Sequence, residues 1–78
     1  MTNIEKYNQA FVDVFDVPAD QVESVSSESQ VWDSVNQMRL VSEIESAFDI
    51  MFDTADLIDF DSYEKGKEIL SKDYDVEF

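Results

Sequence analysis

The chain has 78 residues and a formal charge of −14, from 19 acidic against 5 basic side chains, with no cysteine and no histidine. A chain of that length makes one domain, residues 1–78, and so small a domain buries only about 60% of the surface its unfolded chain exposes. The charge disfavours nucleic acid and anionic membrane surfaces as partners, and the missing cysteines exclude disulfides and thiolate zinc sites.

Without His and Cys the commonest nucleophiles and general bases are gone, and Gly66 is the sole glycine, so no Gly-rich phosphate loop can form. An enzyme is not expected. Asp53, Asp56, Asp59 and Asp61 lack the alternating ligand order and the turning glycine of a calcium loop, so no metal site is expected either. Hydrophobic residues at 44%, with 13% aromatic, fall at helical spacings and predict a folded domain. No apolar run approaches the ~20 residues that span a bilayer. The N-terminal residues show no basic block followed by an apolar one, so a cytoplasmic monomer is expected.

Thr2 followed by Glu5 is a capping-box pattern, and Ile4, Tyr7, Phe11, Val14 and Phe15 then recur at three- and four-residue steps. These predict an amphipathic first helix that stops before Pro18. Residues 17–33 form a long connection, polar but carrying Val17, Val22, Val25, Val31 and Trp32, so it is expected to pack inward at intervals, with a short helical turn near Ala19 to Val22. A second helix follows, its apolar stripe running through Val35, Met38, Val41, Ile44, Phe48 and Met51 and widened by Leu40 and Ala47. Asn36, Arg39, Glu43 and Ser46 mark its polar face. Residues 53–60 predict a short third helix built on Ala55, Leu57, Ile58 and Phe60. Asp61 or Ser62 caps a last helix reaching about Lys72, burying Tyr63, Ile69 and Leu70. Gly66 inside it costs about 1 kcal/mol relative to Ala and suggests a close helix contact. Residues 73–78 are expected to fray. With no strand alternation and no repeat, the fold class is all-α: a small four-helix bundle with a long loop between helices one and two.

The chemistry centres on Trp32-Asp33-Ser34-Val35, where the second helix starts. Asp33 suits the N-cap, since its carboxylate can accept from a first-turn amide. Ser34 then takes the first helical position, where its hydroxyl meets unpaired amides and the positive end of the helix dipole, and a phosphodiester is electrostatically tolerated. Trp32 and Val35 are expected to clamp the junction to the core. Any Asp-Ser pair can start a helix, so the motif alone says no more than that. Its place between a long loop and the second helix of an acidic helical bundle says more.

In that setting the chain resembles the acyl carrier protein family over nearly its whole length. Its Asp33-Ser34-Val35 stands where the family has an Asp-Ser-Leu motif, Met38, Leu40, Val41, Ile44 and Phe48 match apolar family positions, and Phe48-Asp49 mirrors a common pair. The resemblance implies a 4′-phosphopantetheine arm on Ser34, attached from coenzyme A by a phosphopantetheinyl transferase with magnesium. It further implies acyl or aminoacyl thioesters on that arm, loaded by a ligase or transferase. Partner enzymes are expected to read the second helix, with Val35, Met38, Arg39, Glu43 and Glu45 as recognition residues. Asn36, Gln37 and Arg39 stand where carriers of fatty-acid synthesis are usually acidic, so Arg39 is expected to steer partner choice. An Arg39–Glu43 pair on the helix surface would be worth only about 0.2–0.5 kcal/mol. Trp32 resembles stand-alone carriers of specialised pathways, in surface-polysaccharide modification, secondary metabolism or D-alanine transfer. Met38, Met51, Phe52 and Phe60 are candidates to line an interior that receives an acyl chain, or are ordinary core. The competing reading is an unmodified acidic helical adaptor or nucleic-acid mimic, which accounts for the charge but not for the placement of Ser34.

Overall fold

A computed structural model describes residues 2–78. Four α-helices are present, α1 Asn3–Phe15, α2 Ser34–Phe48, α3 Thr54–Asp59 and α4 Tyr63–Asp73, and a 3₁₀ helix, Ala19–Ser24, lies in the long connection. The chain is thus a small all-α bundle. Among the described residues no helix is long and apolar enough to cross a membrane.

Each main helix begins on a side-chain cap. Thr2 and Glu5 close the expected capping box on α1, Asp33 caps α2, and Ser62, not Asp61, caps α4 by accepting from the Lys65 amide. α1 and α2 both end on an aspartate in the left-handed region, Asp16 at φ 56° and Asp49 at φ 55°, where glycine is the usual occupant. α2 therefore stops at Phe48, before Met51.

The core is aromatic. Tyr7 and Phe11 of α1 meet Tyr63 of α4 with ring centroids 5.0 and 5.2 Å away, and Tyr7 donates its hydroxyl to the Tyr63 carbonyl at 2.7 Å. Burial, foremost, raises the Tyr7 pKa above the ordinary tyrosine range and keeps that hydroxyl a donor. A methyl group on Gly66 would collide with the Tyr7 hydroxyl and the Phe60 ring, so this glycine permits the close contact that its position suggested. Leu40, Val41 and Ile44 of α2 join the same core.

The connection is pinned, as its valines predicted. Val22 and Val25 are buried, the Tyr63 amide donates to the Val25 carbonyl at 3.0 Å, and the Ser27 amide donates to the Asp61 carbonyl at 2.7 Å. These bonds tie the loop to the start of α4.

Two expectations fail. Residues 73–78 do not fray: Asp73 completes α4, Val76 is buried with its amide on the Leu70 carbonyl, Asn3 donates to the Glu77 carbonyl, and the Phe78 ring lies edge-on to Tyr7 and Phe48. Phe78 in effect extends the aromatic cluster. The stripe on α2 is also misplaced, because Val35, Met38 and Met51 are exposed at 67%, 59% and 84%. The inward arc is Gln37, Leu40, Val41, Ile44 and Phe48, rotated from the expected stripe by the position of α1, and Met51 lies beyond the helix.

Candidate functional site

The start of α2 is held from both sides. Before it, Trp32 is buried, stacked on Phe15 with centroids 5.2 Å apart and planes 20° apart, and edge-on to Phe60 at 5.7 Å. Asp33 follows in extended backbone, and its carboxylate accepts the Asn36 amide at 2.8 Å. The Asn36 side chain turns back to donate to the Val31 carbonyl at 2.9 Å. Gln37 accepts from the Trp32 indole N–H at 3.1 Å and donates to the Leu57 carbonyl of α3 at 3.0 Å. One short stretch thereby fixes the loop, α2 and α3 to each other.

Ser34 is the first residue of α2 and is exposed. The Asn36 amide is taken by Asp33 and the Gln37 amide bonds the Asp33 carbonyl at 2.8 Å, whereas the amides of Ser34 and Val35 precede the first intrahelical acceptor. The first turn holds no acidic side chain. A serine hydroxyl is thus presented to solvent on a rigid mount, beside free amides at the positive helix end, which suits a phosphoryl substituent.

The other expected residues divide. Val35 and Met38 are on the outside, so of the two expected clamps, Trp32 and Val35, only Trp32 packs inward. Val35 and Met38 are apolar surface on the first turns of α2, and Ile58 of α3 is exposed as well, at 76%. Arg39 is exposed and its Nη1 lies 3.4 Å from the Asn36 carbonyl oxygen Oδ1, one turn back. Glu43 is exposed. Glu45 is half-buried and accepts the Phe52 amide at 2.9 Å, which gives its carboxylate a structural task at the exit from α2. Phe60 is core and Phe52 partly buried, but Met38 and Met51 line no interior.

Sequence reasoning missed Gln37, the residue that joins Trp32 to α3. Its signal was a polar side chain at the centre of the inward arc of an amphipathic helix, a place where a side chain must find hydrogen bonds. Missed as well was Tyr74, whose hydroxyl accepts the Asp53 amide and donates to the Asp56 carboxylate, both at 2.8 Å. Among the described residues no cluster of His, Cys, Asp and Glu could hold a metal ion.

The chain matches no family model, no curated protein and no solved structure.

Proposed function

We propose that the protein is a carrier that holds acyl or aminoacyl groups on a 4′-phosphopantetheine arm attached to Ser34. The observation that carries this reading is the placement of Ser34: an exposed hydroxyl at the first position of α2, directly after a capping aspartate and a buried tryptophan. The residues present fit such an arm. The hydroxyl is open to a modifying enzyme, the amides of Ser34 and Val35 would be available to a phosphodiester, and Val35 and Met38 would offer apolar surface to the pantetheine chain. Once attached, the arm supplies the thiol that a chain without cysteine lacks, and cargo is held there as a thioester.

The chain's own part is presentation. Asp33 caps the mount, Trp32 anchors it, and Gln37 ties α3 to it, so that a transferase and then a loading ligase or transferase meet Ser34 in one position. That surface is less acidic than the molecule as a whole, because α2 bears Glu43 and Glu45 against Arg39. Arg39, exposed and only weakly tied to Asn36, is the residue of this face best placed to select partners by charge.

The test is to incubate the protein with a phosphopantetheinyl transferase, magnesium and coenzyme A and to measure intact mass. One added arm is expected on the native chain and none on Ser34→Ala, with helical circular dichroism unchanged between them. No mass gain with any of several transferases would leave the acidic adaptor as the better reading.

A further inference from the structure

The way from Ser34 into the bundle is closed. Ser34 and Gln37 lie one turn apart on α2, and Gln37 ties that turn to the Trp32 indole of the connection and to the Leu57 carbonyl of α3. Behind that latch the interior is filled with rings in contact. Phe60 meets Trp32 at 5.7 Å, Phe52 at 5.8 Å and Phe11 at 6.4 Å, and Phe11 meets Tyr63 at 5.2 Å. The packing between α1 and α4 leaves no room even for a methyl group on Gly66. Apolar side chains on the first turns of α2, Val35 and Met38, are on the outside instead.

We propose that the group carried on Ser34 is a short or polar acyl or aminoacyl group held outside the helical core, and not a long alkyl chain sequestered within it. This rests on the reading of Ser34 as the attachment site. A chain passing between α2 and α3 would break both bonds of Gln37, leaving the indole N–H and the Leu57 carbonyl without partners, and would have to displace closely packed rings. Nothing comparable opposes a short group lying over Met38, one turn along α2 from Ser34. Two exposed side chains, Val35 and Met38, can lie against the arm but do not enclose a long chain.

The chain's lack of cysteine makes a direct test available. Ser34→Cys provides a single thiol to which a linker of pantetheine length, ending in an acetyl, hexanoyl or decanoyl thioester, is coupled chemically. Burial favours a sequestered chain by about fourfold for every methylene, so chain length is a sensitive ruler of entry. The expected result is that hydroxylamine cleaves all three thioesters at rates within about twofold of one another and that the methyl signals of Leu40, Ile44 and Leu70 do not move with chain length. A decanoyl thioester cleaved about tenfold more slowly than the acetyl one, with those core methyl signals shifted, overturns the proposal. Failure of transferases to modify Ser34 would strike the attachment reading alone, because this linker is installed without them.

Discussion

Against α1, α2 rests on Leu40, Val41 and Ile44, all buried in a cluster with Tyr7, Phe11 and Tyr63. Against α3 its tie is the Gln37 side chain, with Glu45 holding the segment that leads there, and α3 itself has no fully buried residue, only Leu57 partly buried against the core. Apolar burial is non-directional and sums over many contacts, whereas a polar tie is worth about 1 kcal/mol and is lost whole when one partner moves. The frame that aims Ser34 is therefore built from aromatic packing, and the element next to it is attached by a few hydrogen bonds. Local opening will start at α3 and spare α1 and α4.

The largest effect that separates the two sides is expected from Phe11→Ala. Phe11 is fully buried and touches rings from the connection, α4 and the rest of α1, so its loss should cost about 3–5 kcal/mol. A chain of this length has only about 4–12 kcal/mol of stability in total. Ile58→Ala on α3 should change stability by no more than about 0.5 kcal/mol, since the side chain is exposed. Urea unfolding followed by circular dichroism measures both. Equal losses at the two sites would remove the distinction between the two sides.

A smaller effect is expected from Gly66→Ala. Alanine gains about 1 kcal/mol of helix propensity, yet its methyl meets the Tyr7 hydroxyl and Phe60, and overpacking of this kind costs about 1–3 kcal/mol. Net destabilisation is expected, and adding Tyr7→Phe should recover part of it, because the hydroxyl oxygen is the nearest obstacle. A more stable Gly66→Ala variant in the same unfolding measurement would show that the α1–α4 side has slack.

Much of this division was legible in the residues. The caps at Thr2 and Asp33, the buried face of the first helix and the position of Ser34 all follow from local patterns, which act within one turn of chain, and the last cap was narrowed to Asp61 or Ser62. The rotation of the apolar face of α2 was not legible. Val35 and Met38 have the right spacing to be core, and only the placement of α1 and α3 around α2 decides that Gln37 points inward and they do not. Residues 73–78 misled for a related reason: alternating acidic and apolar residues read as a tail, while Val76 bonds back to Leu70 and Phe78 finds Tyr7 and Phe48, far away in sequence. Long-range contacts of this sort leave no periodic trace.

The finest probe of the polar side is the pH response of Asp73. A hydrogen bond shared with Asp56, slight desolvation and the negative charges of Asp56 and Asp53 raise its pKa above the ordinary aspartate value, with Lys72 opposing. A group whose pKa is higher in the folded than in the unfolded chain stabilises the fold fully below the unfolded value, and that contribution is lost as pH rises through the folded value. The contact between α3 and α4 should accordingly be tightest in acid and loosen toward neutral pH, leaving Tyr74 to hold Asp56. Burial raises the Tyr74 pKa, so its hydroxyl remains a donor across that range. Glu5 works in the opposite sense, since its bonds to Thr2 lower its pKa and its contribution is lost in acid. Global melting mixes the two. A carboxyl carbon titration by NMR resolves them: Asp73 should titrate above an ordinary aspartate, and Asp56→Asn should bring it back toward that range. An Asp73 titration unmoved by Asp56→Asn would mean that these carboxylates do not share a proton and that Tyr74 alone joins α3 to the end of α4.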